Sequence, residues 1–400
     1  MNSRPKITIV IPTFNRPHFL RRNLLYYYEL NYPHKIIVVD SSHSSICKEN
    51  QSIVAERKDV LDIYYEYYPH DKYYYTKIAQ ILDKFNSNYS ILCGDKDFLV
   101  PEGIYQCVKF LEQNSDYSIA HGVSAVIYFD DELIKESDRK IFTWSKISPN
   151  IEKDDASSRL KKHLNNFAST FYSVHRHHQL KRNWQISVNK TMDLRFGEVL
   201  PSCLSIVQGK AKRLDFLYHV RQYNSVFSAA KKNTWNAVLK EDDFEFRCKM
   251  FVNCLSEEIA SKTGIFKEEA RSLVKKDFDV YMAPIKESLN KYQEFKSNRN
   301  LNHKYFERIM RKIYRLKRVL PVAMQLAPKV NQFMPMIKSP LKTYRKIGSR
   351  VDDHDRAKKK HSEPGNALHI NKLLDSNSQY SADFKTIQKI VKCYPDGIFH

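Results

Sequence analysis

Asp95 and Asp97 stand one residue apart in the stretch Tyr89-Ser-Ile-Leu-Cys-Gly-Asp-Lys-Asp-Phe-Leu-Val-Pro-Glu-Gly103. Two carboxylates so spaced can share a hard divalent cation, Mn2+ or Mg2+. The cation keeps positions free for the oxygens of a diphosphate, whose charge must be neutralised before it departs. The spacing alone is weak, because Asp277-Phe-Asp279 and Asp353-His-Asp355 repeat it. Context separates the three. Only Asp95 and Asp97 follow an apolar strand, Ile91 to Cys93, and precede a helix, which puts them at the carboxyl edge of an open α/β sheet where ligands bind. The bland alternative makes them caps of that helix.

The elements that must position this pair are legible in the pattern upstream. Ile7-Thr-Ile-Val-Ile11 is a β-branched run followed by Pro12-Thr-Phe-Asn-Arg-Pro17, after which Leu20, Leu24, Tyr27 and Tyr28 keep helical spacing and Pro17 can start the helix. Lys35 to Asp40 is a second buried strand, and a third lies near Leu61 to Glu66. Ile78, Ile81, Leu82 and Phe85 mark one helical face and deliver the chain to the strand at Ser90 to Cys93. Ile104, Val108 and Leu111 repeat the helical signal, and Ser118 to Phe129 is strand-like. Strands that are continuous apolar runs, alternating with helices, predict an α/β fold: a Rossmann-like, mostly parallel sheet with helices on both faces. Residues 142–190 are mixed and aromatic. Beyond them the spacing predicts a helix over 198–208, a strand over 213–223 and a mainly helical stretch over 235–295. The domain reading is therefore residues 1–230 as the sheet domain, 231–325 as a helical region with a basic amphipathic helix, and 326–400 as a proline-punctuated basic segment and flexible tail, within which the charged, weakly apolar stretch 352–366 reads as a linker.

Composition bounds the function classes. The chain has 400 residues, 42% of them hydrophobic, enough for a large core. Its seven cysteines form no Cys-x-x-Cys pair and lie mostly in apolar stretches, as reduced, buried thiols of a cytoplasmic protein do. The first strand opens at Ile7, which leaves no room for a signal peptide, and no apolar run approaches the about 18 residues of a membrane span. Of the net charge of +21, residues 304–350 hold 13 Lys and Arg against the single acid Glu307. Phe306, Ile309, Met310, Ile313 and Leu320 form an apolar stripe beside those cations, the pattern of an amphipathic helix on an anionic membrane surface or of a helix packed on the sheet domain. The charge lies outside the sheet region and no helix-turn-helix, finger or stacking-sheet signature accompanies it, so nucleic acid is excluded as a partner.

Three segments together, in their order and spacing, resemble the inverting glycosyltransferases of the GT-A type, the family-2 group: Ile-Pro-Thr-Phe-Asn-Arg (11–16), the strand ending Val-Val-Asp40, and Lys77 through Gly103. The likeness covers roughly residues 5–225. It implies a hexosyl-type transfer from a nucleotide-sugar donor to a glycan or lipid-linked saccharide, with inversion, in polysaccharide biosynthesis. The enzyme would be cytoplasmic and peripheral at the inner face of the membrane. It also implies that Thr13 and Arg16 lie against the nucleotide, that Asp40 binds base or ribose, that Lys77 belongs to the same site, and that Asp95 and Asp97 form an Asp-x-Asp signature with Asp97 the leading metal ligand. Lys96 departs from the pattern, since the middle position is commonly acidic or small. It could touch phosphate and reduce the need for metal, or point to solvent, and solvent is the favoured reading.

An inverting transfer needs a carboxylate that accepts the proton of the attacking hydroxyl. The resemblance places it about a hundred residues past the acidic pair at a helix start, which fits Glu198 in Arg195-Phe-Gly-Glu-Val-Leu-Pro, with Asp193 in reserve. Glu198 could equally serve only the helix dipole. His219 is a packed strand histidine before it is a third metal ligand. His175, His177 and His178 lack metal-ligand spacing and read as an acceptor-side or surface feature. Tyr26 to Tyr28 and Tyr73 to Tyr75 default to packing. A GT-A-like scaffold without catalysis, serving as a partner-binding subunit, is the alternative.

Overall fold

The computed structural model describes residues 5–69, 74–129, 141–190 except 147, 195–222, 235–290 except 240 and 289, and 375–393 except 379. The chain divides into two compact units, residues 1–279 with 364–400, and residues 280–363. The fold described below is that of the first. The basic stripe at 304–320, the linker over 352–366 and Asp193 lie outside the described residues.

The apolar runs form strands β1 (Ile7–Thr13), β2 (Lys35–Asp40), β3 (Ile63–Tyr67) and β4 (Tyr89–Leu92), ordered β3-β2-β1-β4 and all parallel. Both faces are covered, which is why the runs are continuous and not alternating. Ile9, Ile11, Ile36, Val38 and Ile91 pack on one side against α1 (Pro17–Glu29), α2 (Ser44–Ala55) and α4 (Pro101–Gln113). Val10, Ile37, Val39 and Leu92 pack on the other against α3 (Tyr74–Asp83) and α6 (His177–Lys190). Pro17 occupies the first turn of α1, where its missing N–H costs nothing.

Past β4 the sheet continues as β8 (Val174–Arg176), β6 (Tyr117–Phe129), β9 (Lys210–Gln222) and β5 (Phe98–Leu99), with β7 (Ile141–Lys146) on the side of β6. β8 runs against both β4 and β6, β6 and β9 are parallel, and β5 and β7 run against their partners. Six of the nine described strands thus point one way, and the α/β class expected from the sequence holds. Between β7 and β9 lie α5 (Ala156–Asn165), α6 and α7 (Phe196–Gln208). Pro201 inside α7 has no N–H for the carbonyl of Gly197, and the hydroxyl of Ser187 donates to that oxygen instead, at 3.3 Å. After the single turn α8 (Trp235–Val238), α9 (Phe244–Thr263) ends at Gly264 with φ 76°, and a further helix, α10, opens at residue 267.

The stretch 326–400, read as basic segment and tail, contains an ordered helix, α11 (Ser381–Cys393). It packs on α1: Phe384, Ile387, Ile390 and Val391 join the core that holds Leu24 and Tyr26, and Tyr26 donates a hydrogen bond to Asp383 at 3.2 Å. Tyr26 and Tyr27 are fully buried, in keeping with their default role as packing. The six described cysteines are all free, and none of the described helices is long and apolar enough to cross a membrane.

Candidate active site at the strand ends

In the parallel register Thr13 at the end of β1 faces Asp40 at the end of β2, and β4 beside them runs into the turn Gly94-Asp95-Lys96-Asp97. That turn closes through a hydrogen bond from the Asp97 amide to the Gly94 carbonyl, 3.0 Å. The helix does not follow the acidic pair at once. β5 intervenes, pairing with β9, and α4 begins only at Pro101 with Val100 as its cap residue. Neither Asp95 nor Asp97 caps a helix, which removes the bland reading of the pair.

Asp95 meets the first strand directly. The Thr13 hydroxyl donates to its Oδ2 at 2.8 Å and the Arg16 guanidinium pairs with its Oδ1 at 3.0 Å. Burial pushes the Asp95 carboxyl above its usual pKa, and Arg16 and Thr13 pull against that. Lys77 reaches from α3 under both strand ends, and its three N–H groups go to the carbonyls of Thr13 (2.8 Å) and Val39 (3.1 Å) and the hydroxyl of Ser41 (2.8 Å). Burial lowers its pKa to about 8, against the pull of Asp40 and Asp95. With its donors taken, Lys77 fixes the two loops and leaves its charge beneath them.

Asp40 is fully buried, and its carboxylate receives the Ser42 amide (2.8 Å), the Asn50 side chain (2.8 Å) and the Tyr65 hydroxyl (2.7 Å). It therefore shapes the loop after β2. Asn15, at φ 53°, bridges that loop to the one after β1, accepting from the His43 amide while its own amide donates to Ser42. At this seam Phe14 is 43% exposed, with the His43 ring edge against it at 5.8 Å.

Asp97 turns the other way. The Tyr172 hydroxyl donates to its Oδ2, and the Gln222 amide at the end of β9 donates to its Oδ1 at 3.2 Å. Asn23 of α1 donates to its carbonyl at 2.5 Å. Tyr172 stacks on His219, ring centroids 4.1 Å apart, and His219 meets Ser124 through Nδ1 at 3.2 Å. His219 is thus a packed histidine beside the acid's partner. Sequence reading missed Tyr172 and Gln222, whose roles arise across 75 and 125 residues and leave no local signal. Phe14 stood inside a recognised segment, where its aromatic character between polar neighbours was the available sign.

The remaining predicted groups fall on a second wall. Glu198, half-buried in the first turn of α7, lines a cavity with Thr170, Phe171, His175, Trp184 and Ser202. Residues 169–172 join that cavity to the acidic turn, since Thr170 donates its amide to Ser202 at 3.0 Å while Tyr172 holds Asp97. Of the three histidines expected as an acceptor-side or surface feature, His178 is exposed and His175 and His177 are not at the surface. Both are buried: His175 meets the Thr170 carbonyl at 2.8 Å with its pKa lowered by burial to about 4, and His177 meets Ser90 at 2.8 Å.

The residues do not fit Mn2+ or Mg2+ in this arrangement. Three of the four carboxylate oxygens of Asp95 and Asp97 accept hydrogen bonds from the protein, the fourth, Asp95 Oδ1, receives none from the described residues but lies 3.0 Å from the Arg16 guanidinium, and both side chains are fully buried. Among the described residues no three His, Cys, Asp or Glu side chains group as a metal site. A hard cation of this kind needs carboxylate oxygens open to it and to several waters.

No protein-family model matches the chain, and no curated protein does. Among solved structures, S. aureus TarS 1–349 in complex with UDP-GlcNAc is similar at 11% identity over 70% of this chain and 73% of that one, with a TM-score of 0.46. The mannosyltransferase PcManGT from Pyrobaculum calidifontis, in complex with GDP-Man and Mn2+, is similar at 11% identity over 70% and 81%, with a TM-score of 0.37. At such identities and scores neither likeness decides what this chain does.

Proposed function

We propose that this chain is a nucleotide-sugar-dependent glycosyltransferase of the inverting, GT-A-like kind, acting on a glycan or lipid-linked saccharide. The observation that carries the reading is the junction of three strand ends in one buried network: Thr13 and Arg16 on Asp95, with Lys77 beneath Thr13 and Ser41. This is the carboxyl edge of the parallel strands, where α/β sheets bind ligands. Phe14 offers an aromatic face for a nucleobase at the seam that Asp40 and Asn15 hold in shape. The cationic groups lie where a diphosphate would follow.

Glu198 is the base of this proposal. The acceptor hydroxyl attacks the anomeric carbon from the side opposite the diphosphate, the bond from that carbon to the phosphate oxygen breaks, and the hydroxyl proton passes to the Glu198 carboxylate. In this proposal the acceptor approaches on the Glu198 side, which residues 169–172 link to the acidic turn. The cytoplasmic, membrane-peripheral location rests on the cationic stretch 304–350 in the sequence.

Incubation of the full chain with a panel of nucleotide-sugars tests this. The matching donor should be hydrolysed slowly without acceptor, and Glu198→Gln should bind that donor with unchanged affinity while losing at least about a hundredfold in turnover. Binding of every donor without turnover would leave the scaffold alternative. Full turnover by Glu198→Gln would refute the base.

A further inference from the structure

The turn that carries Asp95 and Asp97 also carries a cation that the described part of the chain leaves unpaired. Lys96 is half-buried, yet no described residue gives it a hydrogen bond or an ion pair. Its surroundings are charged: Asp97 and Asp95 on the same turn, Arg221 near the end of β9, and Arg16 from the loop after β1. The stem of Lys96 is part-covered while its ammonium keeps contact with solvent. An ammonium so placed keeps its donors open to an anion that accepts charge-assisted hydrogen bonds.

The charge around the turn points the same way. Among the described residues, Arg16, Lys77, Lys96 and Arg221 stand with Asp40, Asp95 and Asp97 around the turn. Arg16 pairs with Asp95 through one guanidinium nitrogen and keeps 20% of its side chain exposed. Asp97 is held by neutral donors, the Tyr172 hydroxyl and the Gln222 amide, beside Lys96 on the same turn. A divalent cation would have to displace Arg16 or a hydrogen-bond donor from these carboxylates, whereas a diphosphate meets cationic side chains directly.

We infer that Lys96, with Arg16 and Arg221, receives the donor's diphosphate directly, so that nucleotide binding does not require a divalent cation. The inference rests on the nucleotide-sugar reading of the site and deepens it. Asp95 and Asp97 then act as anchors for the cationic side chains and the turn, and the leaving diphosphate is stabilised by fixed cations aimed at the developing charge.

The test is calorimetric titration of the full chain with UDP and GDP and with uridine and guanosine, in EDTA and again with Mn2+. The diphosphate that binds should do so in EDTA within about threefold of its affinity with Mn2+. Lys96→Ala should weaken it about tenfold or more in EDTA, about 1.4 kcal/mol, and leave the matching nucleoside unaffected. Lys96→Asp, which puts a third carboxylate on the turn, should lose the diphosphate in EDTA and regain it with Mn2+. Thermal melting of each variant checks the fold, and Lys96→Gln repeats the measurement if the alanine variant melts early. Binding of wild type only with Mn2+, or equal affinity of wild type and the Lys96 variants in EDTA, overturns the inference and leaves the transferase reading standing. Failure of all four compounds to bind in either condition takes down both.

Discussion

Replacing Lys77 by methionine keeps the four-atom stem of the side chain and removes the ammonium that the fold holds in a dry place. The ammonium is 1% exposed and its pKa falls from 10.5 to about 8, chiefly because burial disfavours the charged form. In the unfolded chain the group keeps its ordinary value. Below pH 8 both states are protonated and the penalty for burying the charge is fully present. Between pH 8 and 10.5 the folded protein releases the proton while the unfolded chain keeps it, so stability rises with pH across that window. A shift of about 2.5 units corresponds to about 3 kcal/mol. The neutral amine still has two N–H groups for the carbonyls of Thr13 and Val39, so the loops stay held as the penalty is relieved. Urea unfolding of wild type and Lys77→Met at a series of pH values isolates this group from every other one that titrates. The wild-type advantage over the variant should be flat below pH 7 and grow by up to about 3 kcal/mol by pH 10.5. A difference that stays flat, or shrinks, through that window would refute the buried-cation account.

Two further substitutions probe the turn and the packing around it. A Cβ added at Gly94 would lie 3.0 Å from the Tyr172 hydroxyl and 3.1 Å from Asp97 Oδ2, so Gly94→Ala should push Tyr172 off the acid and cost about 1–2 kcal/mol in urea unfolding, with weaker nucleotide binding. Ile387 is fully buried between α11 and α1, and Ile387→Ala should cost about 2–4 kcal/mol. A loss below about 0.5 kcal/mol would mean that α11 is not packed there in solution.

How much of this could be read from the sequence depended on how local the cause was. β1, β2 and β4 announce themselves because both of their faces are buried, so each run is apolar throughout. β5 has two residues and β8 three, too short for any period to show, and so the acidic turn was expected to lead straight into a helix. Residues 142–190 hid α5, β8 and α6 because their buried faces mix aromatic, basic and histidine side chains, as Arg159, His163 and His175 do. Thr13, Arg16 and Asp95 were legible as members of one site, and the structure brings them together. The closure of Asp97 by Tyr172 and Gln222 was not, since it depends on strands and loops far apart in the chain meeting at one point. The same holds for Lys77, whose placement against the nucleotide gave no hint that all three of its donors would turn inward.

The hydrogen bond between Tyr26 and Asp383 spans 357 positions, and the side chains around it belong to one core. During synthesis the apolar side of α1 therefore emerges long before the helix that shields it, and a ribosome must travel through the whole cationic stretch before that cover exists. A nascent chain stalled within residues 304–350 would carry every strand of the sheet and still display a greasy stripe, a target for chaperones and proteases. Burial of the apolar side of α1 thus waits on the synthesis of α11.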